Sequence, residues 1–326
     1  MSLKTFLFRL SLVAGVALAV YLVWRGLSRY SFDEIGVSLA SIPPVRLAAA
    51  VAFTACSYLC LTGFDALALR HVGKPLPYPK VALASFVSLG IGHNVGIASL
   101  SSGAVRYRYY SRWGLDAADV ARLVVFCGVT VCLGLATLGG VALLAFPHDA
   151  EGMIGLTPAE LKLAAAATLA APVAYVVASA FVTRPIGIGK WSMELPTVKL
   201  AVAQTAIGAA NFAFVAASLY QLVAAFSDAG YLRVASIYVI SNAAAIATHV
   251  PGGIGVLEAG IQTLLSASGA IGALIAFRAI YFFLPLAIAL PLLGVSEHAL
   301  RKPASRDDRR GSGSLAAQPV RVQRSR

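Results

Sequence analysis

The sequence predicts an all-α, polytopic membrane protein, and three observations predict it. Of its 326 residues, 59% are hydrophobic and only 12% are charged, about half the charge of a water-soluble domain. The mean hydropathy is +0.79. Apolar stretches of roughly 20 residues, the length that crosses a hydrocarbon core, recur along most of the chain.

Eight apolar segments follow in order. Six read as full spans, at about 5–24, 45–69, 119–146, 159–182, 200–226 and 275–296. The first has Lys4 and Arg9 before its apolar core and ends in Trp24 and Arg25. It is longer than a signal-peptide core and lacks a small-residue cleavage site, so it reads as a retained span. The remaining two segments, about 81–105 and 234–268, are interrupted. One breaks at "GIGHNVG", which holds Gly92, His93, Asn94 and Gly96; the other breaks at "THVPGGIG", which holds His249 and Pro251. Glycine and proline at these points disfavour a continuous helix. Irregular backbone at membrane depth is tolerated only where protein shields it or it lines a cavity.

Charge selects the topology. If both interrupted segments re-enter on their own side, most of the 26 basic residues fall on the cytoplasmic face, as the positive-inside rule requires. If both cross, the loops from Arg106 to Arg122 and from Arg184 to Lys199 move outside and the acidic "PHDAEG" moves inside. The expected fold is therefore six full transmembrane helices plus two re-entrant broken hairpins, with both termini cytoplasmic. The order of elements repeats, entered from the opposite face, in halves of about 1–146 and 158–297, an inverted repeat of the kind transporters use. Residues 1–300 form the membrane domain. The tail 301–326 is basic, almost without apolar residues, and expected to be disordered against anionic lipid.

The net charge of +12 lies in the loops and tail rather than in the spans, which argues against nucleic acid as a partner and for membrane phospholipid. Cys56, Cys60, Cys127 and Cys132 sit in apolar runs without a CxxC spacing and read as small core residues. No HExxH pattern or other catalytic constellation occurs, so neither an enzyme nor a metal or cofactor is expected.

After the first break, "VRYRYYSRW" places Arg106, Tyr107, Arg108, Tyr109, Tyr110, Arg112 and Trp113 within one short stretch. Helical spacing puts Arg106, Tyr109, Tyr110 and Trp113 on one face, with Arg108 and Arg112 beside it at i, i+4. Tyrosine and tryptophan favour the headgroup level, and guanidinium binds phosphate bidentately. This pattern suits either a lipid-phosphate site or an anchoring belt. Asp116 with Asp119 reads as a helix cap. Gly252 and Gly253 leave backbone N–H groups free at a half-helix start, suited to an anion. Glu258, a turn further on in apolar surroundings, reads as functional or as an arginine's partner. Asp65, near the inner end of its span, is expected to meet Arg106, Arg108 or Arg112, either as a structural pair or as a substrate gate.

The stretches "SLSSGAVRYRYYSRWGLDAADVARLVVFCGVT" and "ATHVPGGIGVLEAGIQTLL" resemble the two signature regions of the integral membrane domain of lysylphosphatidylglycerol synthases, the multiple peptide resistance factor family. The resemblance spans about 5–297. It implies a bacterial inner-membrane, flippase-like domain without the synthases' aminoacyl-transferase domain. It also implies substrate-binding roles for Asp65, Arg106, Arg108, Arg112, Gly252, Gly253 and Glu258, while members without the synthase domain need not handle lysyl lipids. The expected function is translocation of a phospholipid or other lipid with a phosphate-bearing headgroup. The alternative is a membrane-embedded accessory subunit of a lipid-modifying or glycosyl transferase.

Overall fold

Among the described residues of the computed structural model, five helices are long and apolar enough to cross a membrane: Pro44–His71, Ala117–Ala145, Pro158–Phe181, Val198–Val223 and Gly272–Ala299. The structure describes residues 32–94, 98–145, 157–182, 186–188, 191–248, 256–262 and 267–300. The expected span at 5–24 and the tail 301–326 lie outside them.

In chain order the helices are α1 (Phe32–Ala40), α2 (Pro44–His71), α3 (Tyr78–Gly92), α4 (Ala98–Tyr110), α5 (Ala117–Ala145), α6 (Pro158–Phe181), α7 (Val198–Val223), α8 (Tyr231–Thr248), α9 (Val256–Gln262), α10 (Ala267–Arg278) and α11 (Leu284–Leu300). A π-helical turn, Ala279–Phe283, joins α10 to α11. Between α6 and α7, β1 (Ile186–Ile188) pairs antiparallel with β2 (Trp191–Met193); hydropathy patterning gives no sign of this ribbon.

Local chemistry sets the helix starts. Proline occupies the first turn of α2, α3 and α6, where its missing N–H costs nothing. Asp116 and Asp119 cap α5 reciprocally, each carboxylate accepting from the other's backbone N–H at 2.8 and 3.3 Å, as expected from the sequence. The last span is longer than the expected 275–296, because the π turn lets the backbone continue from Ala267 to Leu300.

At the centre, α2 packs along α7, with α5 crossing both. The α5–α7 crossing is a backbone-to-backbone contact through Gly134 and Gly208: a Cβ built on Gly208 would lie 2.6 Å from the Thr130 carbonyl and 3.2 Å from the Gly134 Cα. Gln204 pins the same crossing, donating to the Phe126 carbonyl at 3.0 Å and to Thr130 Oγ1 at 2.9 Å while accepting from Tyr175 at 2.7 Å. By contrast α6 is peripheral. It leaves Leu163, Val173, Val177 and Phe181 exposed, an outer surface that only lipid covers favourably.

The first interrupted segment is a helical hairpin. The short helices α3 and α4 pack side by side, and their open ends meet. Lys80, in the first turn of α3, sits 5.7 Å above the Trp113 ring. Lys74, just before α3, donates to the Gly114 carbonyl at 3.4 Å and pairs with Asp119 at 3.2 Å. Gly114, at φ 93°, makes the left-handed turn that carries the chain from α4 into α5.

The hairpin's tip docks on the π turn. A π turn shifts the bonding register of its helix and leaves carbonyls for other donors. Asn94 Nδ2 donates to Phe282 O at 3.2 Å and to Gly90 O at 2.9 Å, while Tyr58 Oη donates to Tyr281 O at 3.4 Å. His93 stacks on Tyr281 with ring centroids 6.2 Å apart. Ser57 joins the same layer, donating to Asn211 at 2.8 Å and lying 3.1 Å from the Tyr281 hydroxyl. The expected break at Gly92, His93 and Asn94 is thus a specific joint. Asn94→Leu is expected to cost about 1–2 kcal/mol, by removing two hydrogen bonds at membrane depth. Thermal unfolding in detergent measures it.

The second interrupted segment divides into α8 and α9, which pack against each other. Its break, with His249, Pro251, Gly252 and Gly253, lies outside the described residues, as does Gly96 of the first. Glu258 is placed as a backbone position on α9.

Candidate functional site

The arginines of α4 and the 3₁₀ turn that follows it divide into two constellations with opposite exposure. Successive helical residues turn by about 100°, so Arg106 and Arg108 cannot share a direction, whereas Arg108 and Arg112 can. Arg106 points into the bundle and the other two point toward α11.

The inner constellation is sealed. Asp65 on α2 is fully buried and the Arg106 side chain is 4% exposed. The pairing is bidentate: Arg106 Nε donates to Oδ2 at 2.9 Å and Nη2 to Oδ1 at 2.8 Å. Tyr110 Oη adds a bond to Oδ2 at 2.7 Å, Cys127 Sγ a weak one to Oδ1 at 3.5 Å, and Arg106 Nη1 donates to Ser102 at 3.0 Å. Both carboxylate oxygens thus carry two donors. This is the arrangement under which a buried ion pair is tolerated, and it ties α4 to α2 and α5. Of the two roles expected of Asp65 with an arginine, structural pair or substrate gate, the partner is Arg106 and both side chains are buried. Tyr109, also expected at the site, is completely buried, its hydroxyl 2.5 Å from Ser296 Oγ. Cys127 does more than fill the core, since its thiol serves the Asp65 carboxylate.

The outer constellation is open. Arg108 Nε donates to Glu297 Oε1, and Arg112 Nη2 donates to Glu297 Oε2 at 2.8 Å. The Arg112 side chain is 31% exposed and that of Glu297 15%. Beside the cluster, the Trp113 ring packs on Tyr109 at 5.9 Å and carries Lys80 on its face. Lys74, Asp119 and Arg122 form a neighbouring ion-pair group, with Asp119 3.2 Å from Lys74 and 3.5 Å from Arg122. The mouth of the α3–α4 hairpin thus presents two guanidinium groups on one carboxylate, and a lysine on the ring of Trp113. Guanidinium, ammonium and carboxylate groups of this kind have the chemistry to pair with an anionic or zwitterionic group.

Of the residues expected at the site, the structure brings Arg108 and Arg112 together in the open cluster and Asp65 with Arg106 in the sealed pair. Gly252 and Gly253 lie outside the described residues. Sequence reasoning misses Glu297. Its only sequence signal is an acid in "GVSEHALRK", at the point where the last apolar run gives way to basic residues. Ser102 and Lys80 carry no sequence signal for the arginine cluster either, and helical spacing puts Tyr110 on the right face without naming its partner.

Residues 12–289 match the family described as the lysylphosphatidylglycerol synthase TM region. The chain is also 31% identical over 292 residues to "Uncharacterized protein slr0712" of Synechocystis sp., covering 88% of this chain and 90% of that one. It is 29% identical over 293 residues to "Inner membrane protein YbhN" of Escherichia coli strain K12, covering 88% and 89%. Such coverage leaves no room in either relative for an additional synthase domain. The match takes in the hairpin, both arginine constellations except Glu297, and the second broken segment. The chain belongs to the lysylphosphatidylglycerol synthase transmembrane-region family, as a multi-pass membrane protein similar to YbhN.

Proposed function

We propose that the protein is a flippase-like membrane transporter that moves a phospholipid, or another lipid with a phosphate-bearing headgroup, between leaflets. One observation carries this reading: the open Arg108–Arg112–Glu297 cluster stands at the mouth of a helical hairpin too short to cross. Helix α3 has 15 residues and α4 has 13, about 20 Å each at 1.5 Å per residue, against a hydrocarbon core of roughly 30 Å. These lengths support a hairpin that re-enters. Its tip meets Tyr281 and Phe282 on the last span, about 24 Å along the helix from Glu297, and so reaches beyond the bilayer midplane. A headgroup entering at the cluster then has a polar joint ahead of it, at His93, Asn94 and Tyr58.

The packing also supports an inverted repeat with halves 1–146 and 158–297. Helix α3 packs on α11 as α8 packs on α5, and α2 meets α3 as α7 meets α8, about a central α2–α7 pair. In this topology both termini and the arginine-rich turn face the cytoplasm. A cysteine placed at exposed Ser111, in a background without the four native cysteines, is expected to react only after the membrane is permeabilised. Labelling of intact cells would rule out the re-entrant topology.

Reconstitution tests the function. Vesicles containing the protein are expected to expose inner-leaflet fluorescent phospholipid to an external quencher faster than empty vesicles. Equal rates for every phospholipid class tried would sink the reading.

A further inference from the structure

The open cluster differs from a simple phosphate site in one respect: a carboxylate sits between the two guanidinium groups. Arg108 and Arg112 each donate to a different oxygen of Glu297. A carboxylate has about four lone-pair sites, so each oxygen keeps capacity for a further donor. Arg108 and Arg112 exceed Glu297 by one positive charge, and Lys80 on the Trp113 ring adds another nearby, so the mouth favours a phosphodiester. Any second negative charge on the ligand meets Glu297, whereas an ammonium group is accepted by it.

Resting on the translocation reading above, we propose that this cluster recognises a zwitterionic headgroup with a primary ammonium. The phosphodiester lies on Arg108 and Arg112, and the ammonium donates to Glu297. The sealed pair between this hairpin and α2 makes the contrast. Asp65 takes two donors on each oxygen at 0% exposure, while Glu297 is 15% exposed and its partner Arg112 31%. Headgroup chemistry then sorts three lipids. Phosphatidylethanolamine fits both halves of the site. Phosphatidylcholine keeps the phosphate and the positive charge but has no N–H to donate. Phosphatidylglycerol keeps the phosphate and offers only neutral hydroxyl donors, so it lacks the ammonium's charge opposite Glu297.

Native mass spectrometry of the full chain with these three lipids, acyl chains matched, reads the preference directly. The wild type is expected to bind phosphatidylethanolamine about tenfold more tightly than phosphatidylglycerol, the ratio that 1.4 kcal/mol of extra bonding gives. Glu297→Gln, whose amide oxygen still accepts from an arginine, is expected to erase that ratio, because the ammonium loses its anionic acceptor while an anionic lipid meets a more positive site. Arg112→Gln is expected to weaken all three lipids together. Equal wild-type binding of phosphatidylethanolamine and phosphatidylglycerol would overturn the proposal, and so would a Glu297→Gln variant that loses stability with the ratio unchanged. If Glu297→Gln does not accumulate, the wild-type ratio decides. Lipid movement measured on the same preparations keeps the two readings apart. Selective binding without movement supports the headgroup assignment and sinks transport. Movement without selectivity does the reverse.

Discussion

Asp65→Asn is expected to lower the stability of the folded protein by about 3–5 kcal/mol, the cost of removing one partner from a buried ion pair. The asparagine keeps one acceptor oxygen but turns an amide N–H₂ toward donors that the carboxylate had satisfied, namely Arg106, Tyr110 and Cys127. Arg106, 4% exposed, is left as a buried cation without its counter-charge. Replacing the whole pair, as Asp65→Leu with Arg106→Met, is expected to damage the protein less than either single change, because it removes both desolvated charges together. Unfolding followed in detergent for the two single variants and the double variant measures the coupling. An Asp65→Asn protein with wild-type stability and arrested transport would return the pair to the role of a gate.

The second large effect is steric. Gly208→Val is expected to cost about 1–3 kcal/mol or more, as an overpacked core does. The added side chain meets backbone, starting with the Thr130 carbonyl 2.6 Å from the new Cβ, and backbone cannot rotate aside. Helices α5 and α7 must separate, which also strains the two bonds that Gln204 Nε2 makes across the crossing. Gly128→Ala on the same α5 is the control, since a Cβ there meets nothing within 4 Å. Equal stability of the two variants would show that the crossing is looser than the glycine pair implies.

The parts of this fold that depend on neighbours in sequence are legible in the sequence alone. Hydropathy locates Pro44–His71, Ala117–Ala145, Pro158–Phe181 and Val198–Val223 to within a few residues, because a membrane span is a one-dimensional signal. The break at His93 and Asn94, and the Asp116–Asp119 cap, are equally local. What stays hidden depends on contacts between distant residues. The arginine-rich stretch carries the chemistry but not its division, since choosing between Arg106, Arg108 and Arg112 as the partner of Asp65 requires knowing which way α4 is rotated. Glu297 lies 185 residues from Arg112, and nothing near it in sequence announces an arginine pair. The π turn is invisible for a related reason. It is stabilised by Asn94 and Tyr58, which come to it from the hairpin tip and from α2.

The proposed function assigns lipid entry to the open cluster and bracing to the sealed pair, and Arg112 is the residue that separates these roles. Arg112→Gln removes one exposed guanidinium and leaves Arg108 on Glu297, so the fold should keep its wild-type melting temperature. The initial rate of fluorescent phospholipid exposure, per reconstituted molecule, is expected to fall about tenfold, the effect of roughly 1.4 kcal/mol lost at the entry site. Arg112→Lys, which keeps the charge and loses the planar fork, should fall between the two. Wild-type rates in a folded Arg112→Gln protein would contradict this division of roles.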